Sequence, residues 1–239
     1  MPDKDAVKKE NSNIINIKNI RRTHGQYRHP YLNHPPMINL PPVTKIMLCI
    51  IIGVQLVTSF LLSPPSQESL FLTFGFKPSD WTILSGFNPF AFVTLVTYMA
   101  LHGGWMHLAM NGAMLMAFGA GCEKWMGSKK FTLFFILCGI CAVVAEVMIH
   151  PFSTIPIIGA SGALSGLFAS VLIGLQKEGR LPAGRYGIWP FAFLWIGISI
   201  IFGIFGNDLV GSPIAWIAHL GGFFGGLFLM QFRYFKFYH

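Results

Sequence analysis

Four polar side chains sit where an apolar chain has little reason to keep them: Ser161, His219, His107 and Asn111. Ser161 falls in IPIIGASGALSG, between Gly159 and Gly162, at the start of an apolar run. Glycine on both sides allows a tight turn and close backbone approach, and a serine at a helix start has amide groups with no helical partner beside it. Those amides, with the positive end of the helix dipole, can hold a developing oxyanion. A hydroxyl is a poor nucleophile until a base takes its proton, and AWIAHLGGFFGG supplies His219, the only histidine of its run. In LHGGWMHLAMN, His107 and Asn111 are four apart and share a helical face, both able to donate to an oxyanion. The set is suited to attack on a carbonyl carbon. A three-member Ser/His/acid arrangement lacks its acid unless Glu146, in the third apolar run, orients the imidazole. Taken singly, each Ser or Asn could instead be an interhelical hydrogen bond worth about 0.6 kcal/mol.

The elements that must position these groups are apolar. Hydrophobic residues make up 53% of the 239 and charged residues 11%, too little polar surface for a water-soluble domain of this length. Apolar runs at 46–62, 104–121, 131–149, 161–176, 187–206 and 213–232 lie close to the ~20 residues a helix needs to cross a bilayer. Six spans put both termini on one side. Of 17 Lys and Arg residues only Lys77 falls in an odd-numbered loop, so the positive-inside pattern places the termini and the even-numbered loops in the cytoplasm. That segregation, rather than a basic patch, accounts for the +8 charge and argues against nucleic-acid binding; anionic lipid headgroups are the natural secondary partner. An alternative with a seventh span at 87–101 would put the Lys124 loop outside, against the charge pattern.

Residues 1–44 read as a flexible cytoplasmic tail, polar and rich in Pro and His, with no signal peptide. Residues 45–232 form the six-span domain and 233–239 a second short tail. The outer loop 63–103, rich in Phe, Pro and Gly and carrying Trp81, should be structured and lie in the membrane interface. The irregularly spaced His24, His29 and His34 and the mid-span Cys138 and Cys141 do not make a metal site, and no disulfide or cofactor is expected.

The fourth run, 161–176, is about 24 Å long as a helix, short of the ~30 Å hydrocarbon core. With Lys177 at the cytoplasmic face, Ser161 should be recessed below the outer surface. Gly222 and Gly226 follow His219 at i+3 and i+7, and Gly162 and Gly166 match them in the fourth run. Two glycine-lined faces allow the backbones to approach closely enough for imidazole to reach hydroxyl. His102, just before the second run, should hold the outer loop in place and line a polar cavity with His107, Asn111 and Ser161. Loops 63–103 and 207–213 are the candidate gates.

Taken as a set and in this chain order, HGGWMHLAMN at 102–111, GASG at 159–162 and AHLGG at 218–222 resemble the rhomboid family of intramembrane serine proteases, in its compact six-span bacterial form. The resemblance covers residues 45–232 and implies an all-α membrane bundle with a short central helix carrying the nucleophile. It further implies a Ser161–His219 dyad without an acid, an oxyanion site of His107, Asn111 and the Ser161 amide, and single-span membrane proteins as substrates, cut near the outer end of their helix. The chain departs from the pattern in two places: the outer loop has no clear Trp-Arg pair, and Ser165 stands where many members carry an aromatic residue against the catalytic histidine. Two other readings are compatible with these residues: a rhomboid-like binder that captures helices without cutting them, and a small transporter using the intramembrane histidines as a proton path.

Overall fold

The computed structural model describes residues 39–82, 86, 88–181, 186–210 and 215–235, with side chains undescribed from 205 to 210. All regular elements among them are helical. The histidines at 24, 29 and 34, and nearly all of the tail that carries them, lie outside these residues.

Helix α1, Pro42–Leu61, starts at a proline in its first turn, where the missing N–H costs nothing. Its free amides are capped from far away in sequence: Glu123 accepts from the Val43 amide at 3.0 Å and from the Thr44 amide and hydroxyl at 2.7 and 2.8 Å. Ser128 adds its hydroxyl at 2.7 Å. Residues 42–44, expected in the tail, therefore belong to α1, with Thr44 fully buried.

The described residues of the outer loop, 63–103, include α2 (Pro64–Phe74), a 3-10 turn (Pro78–Trp81), α3 (Ala91–Thr97) and a second turn (Tyr98–Ala100). At 7 residues α3 is far too short to cross a membrane. The loop is pinned by an antiparallel bridge between Phe76 and Ile157. Trp81, which the sequence singled out, stacks on Phe76 at 5.8 Å and meets Phe92 edge-on at 5.1 Å.

Helix α4, Trp105–Met114, continues through a π turn, Leu115–Gly119, into α5, Ala120–Met126. Gly127 at φ +79 breaks the helix, a left-handed conformation that suits glycine. Helix α6, Ser128–Ile149, follows, then α7, Ser161–Lys177. Helix α7 is buried nearly all round against α6, α9 and the π turn. Helix α8, Trp189–Val210, packs mainly along α9, Trp216–Leu229. Residues 207–210, expected in a gating loop, are instead the end of α8; 211–214 lie outside the described residues. Helix α9 is shorter at both ends than its apolar run 213–232.

Large apolar side chains cover the outside, among them Phe60, Leu61, Met148, Phe193 and Ile204, each more than 60% exposed. Such an exterior suits hydrocarbon rather than water. Two helices, α1 and α6, are by themselves long and apolar enough to cross a membrane.

Replacing Glu123 with Ala strands four donors at the α1–α5–α6 junction, and should lower unfolding free energy in detergent by about 3 kcal/mol. Glu123→Gln, which keeps one acceptor oxygen, should lose clearly less, as read by denaturant titration.

Candidate active site

The α7–α9 contact is made backbone to backbone. A Cβ on Gly222 would overlap the Gly162 carbonyl, and one on Gly226 would lie 2.5 Å from the Gly166 carbonyl oxygen. From the other side, a Cβ on Gly162 would sit 2.5 Å from that of Ala142 on α6. The two cysteines of the CxxC are fillers in the same seam, Cys138 against Gly166 and Cys141 against Gly225. No group of three or more metal-type ligands occurs among the described residues.

At the end of that seam, His219 Nε2 lies 2.9 Å from Ser161 Oγ, in position to accept the hydroxyl proton. Ser161 is the first residue of α7, so its amide has no helical acceptor. The neighbouring serine, Ser165, is engaged elsewhere: it donates to the Ser161 carbonyl at 2.8 Å and is fully buried.

Gly159 precedes the nucleophile at φ +110, where a side chain would be strained, and a Cβ there would lie 2.6 Å from His107 Nε2 and 3.6 Å from Asn111 Nδ2. The bare glycine thus leaves room for both side chains beside the serine loop. Asn111 is buried and donates to the His107 carbonyl at 3.2 Å, while its Oδ1 and His107 Nδ1 make no hydrogen bond among the described residues. Both residues line a cavity of about 760 Å³ together with Ser161 and His219.

His102, expected in the cavity wall, does not line it. Its ring packs edge-on against His107 at 5.1 Å, with Nδ1 3.3 Å from the Ala100 carbonyl, so it backs the wall from behind. Glu146 does line the cavity, but its carboxylate meets the Ala218 backbone N–H at 3.1 Å and the His150 ring at 3.0 Å rather than the His219 ring. Sequence reasoning missed Tyr98. Its hydroxyl donates to the Gly139 carbonyl at 2.9 Å and its own carbonyl accepts the Gly159 N–H at 2.9 Å, joining α6 to the serine loop. A lone tyrosine just ahead of LHGGWMH, with a hydroxyl that burial obliges to find a partner, was the available signal.

An all-α bundle with an apolar exterior, closed around a serine–imidazole contact, defines a helical membrane protein. A family profile for the Rhomboid domain matches residues 89–235, more than half of the chain, and the chain belongs to the rhomboid family, known for intramembrane serine proteases. It is 29% identical over 134 residues to rhomboid protease GluP of Bacillus subtilis, covering 56% of this chain and 24% of that protein. To the putative rhomboid protease YdcA of the same organism it is 28% identical over 138 residues, 58% of this chain and 65% of the relative. Mouse rhomboid-related protein 2 matches over 195 residues at 23% identity, 79% of this chain and 63% of that protein. In each case the match spans less than two thirds of the relative.

Adding one methyl group at Gly222 should separate Ser161 from His219 without touching either. Gly222→Ala is expected to cost about 1–3 kcal/mol of stability and to slow any Ser161-dependent reaction by about tenfold or more. Thermal unfolding and a serine-directed probe read the two effects.

Proposed function

We propose that this chain is an intramembrane serine endopeptidase that cleaves transmembrane segments of membrane-protein substrates through a Ser161–His219 dyad. The 2.9 Å contact between His219 Nε2 and Ser161 Oγ carries the reading. The proteases among the relatives, with membership of the rhomboid family, support it. So does the placing of His107 and Asn111 on the wall beside Gly159.

In the reaction, Ser161 Oγ bonds to the substrate carbonyl carbon as its proton passes to His219 Nε2. His107, Asn111 and the Ser161 amide hold the oxyanion. His219 gives the proton to the departing amine as the C–N bond breaks, and water, deprotonated by the same imidazole, releases the acyl group from Ser161. A substrate helix must unwind locally to expose its carbonyl, so helix-weak residues near the cut favour cleavage. Single-span membrane proteins, entering sideways from the lipid, are the substrate class.

The six apolar runs of the sequence correspond to α1, the α4–α5 helix, α6, α7, α8 and α9. Read as six spans of a multi-pass protein of the cell membrane, with both termini cytoplasmic, they keep every Lys and Arg but Lys77 on the inner side. No cofactor is required by this chemistry.

Ser161→Ala and His219→Ala should each abolish cleavage of a model single-span substrate by purified protein in liposomes. Ser165→Ala should keep at least about a third of wild-type activity, since its hydroxyl serves the backbone. Full cleavage by Ser161→Ala overturns the assignment. Failure of well-folded wild type to react with a fluorophosphonate identifies a helix-binding relative without activity.

A further inference from the structure

Among the described residues, Glu146 is the one acidic side chain in the cavity wall, and the dyad chemistry leaves it without a task. It stands near the outer end of α6, its side chain only 6% exposed. Oε1 accepts the Ala218 amide at 3.1 Å, and Oε2 lies 3.0 Å from His150 Nδ1. Ala218 belongs to the first turn of α9, its amide shared between Glu146 and the Ala215 carbonyl at 3.1 Å, and the residue at the start of that helix, Ala215, offers no side-chain cap. Glu146 therefore caps α9 from another helix, one residue before His219. A carboxylate at a helix N-terminus also meets the positive end of the dipole.

The ion pairs among the described residues leave the His219 ring without a carboxylate partner. Yet His219 becomes an imidazolium when it takes the Ser161 proton, inside a largely apolar cavity where an unbalanced charge is costly. A negative charge one residue away on the same wall lowers that cost. Resting on the dyad reading, we propose that Glu146 is the positioning residue of the dyad: it fixes the backbone of His219 through the Ala218 amide, and its charge balances the imidazolium that forms. His150 holds the second carboxylate oxygen.

The ionisable groups around this carboxylate are few. His150 is on its own helix end, and His219 is on α9. Tyr98 is held by the Gly139 carbonyl, and the 3-10 turn at Pro78–Trp81 brings Asp80, paired with Lys77 at 3.3 Å. Helix α7 brings its serine end, with Lys177 at the opposite terminus. Helices α1 and α5 and the final turn, Arg233–Phe235, meet the other end of α6 through Glu123–Ser128 and Phe134–Phe235. His107 and His219 are the remaining cavity histidines.

The test is the pH dependence of fluorophosphonate labelling of the full chain in liposomes, for wild type, Glu146→Gln, Glu146→Leu and Ser161→Ala. Glutamine keeps an acceptor for the Ala218 amide but not the charge. Removing a negative charge disfavours imidazolium, so the acid limb of the Glu146→Gln profile should move to lower pH by about one unit, with little change in melting temperature. Leucine removes charge and acceptor together, and should lower the plateau rate about 100-fold. An unshifted acid limb in Glu146→Gln overturns the proposal, whatever the leucine variant does. Wild type that labels no faster than Ser161→Ala overturns the dyad reading itself, and this inference with it.

Discussion

Contact between the bare backbones of α7 and α9 is the constraint on which the site depends. In lipid no hydrophobic force drives two apolar helices together, so their association rests on close van der Waals packing and interhelical hydrogen bonds. Gly162 and Gly166 meet Gly222 and Gly226 with no side chain between them. Side chains on a helix lean toward its N-terminus, so His219, one turn before Gly222, projects past the contact toward the start of α7. Ser161 is the residue found there, 2.9 Å away. The reach of the imidazole is thus a consequence of backbone spacing, and any Cβ in the seam changes it.

Much of this is legible in the sequence because rare residues announce it. A serine, two histidines and an asparagine in apolar runs are conspicuous, and glycines at i+3 and i+7 from His219 mark the face that must be approached. What the sequence hides is contact through backbone atoms. An amide is the same at every residue, so nothing in the letters says that Glu146 accepts from Ala218, that Glu123 accepts from Val43 and Thr44, or that the Tyr98 carbonyl takes the Gly159 amide. Element ends shift for a similar reason. Pro42 opens α1 because proline fits a first turn, and Thr44 is helical because a distant carboxylate caps it, so the tail ends before residue 44. His102 stands one layer behind the wall, and chain order alone does not separate a wall residue from the one behind it.

The outer loop and the serine loop are one tied unit. Phe76 and Ile157 exchange backbone hydrogen bonds at 3.0 and 2.8 Å, Ser79 donates its amide to the Ser153 carbonyl at 3.0 Å, and Gly159 donates to Tyr98 at 2.9 Å. These bonds satisfy amides that have no helical partner in either segment, which a segment at membrane depth cannot leave open. They also answer how a loop without a Trp-Arg pair is anchored: by backbone pairing, and by the Phe76–Trp81–Phe92 aromatic cluster. Motion of the outer loop must then pull on the strand of chain that leads directly into Ser161.

Two polar atoms of the cavity wall stay apart from the hydrogen bonds that join its other polar groups. His107 Nδ1 and Asn111 Oδ1 are buried without a hydrogen bond to another described residue. The packing that keeps them apart lies elsewhere: α7 is buried almost along its whole length, with Ala163, Leu164, Leu167 and Ala169 fully enclosed. A helix so firmly held can present one end to a polar cavity without rearranging to satisfy it. The apolar seam therefore does more than bring serine to histidine, since it also holds the helix whose first residue faces the cavity.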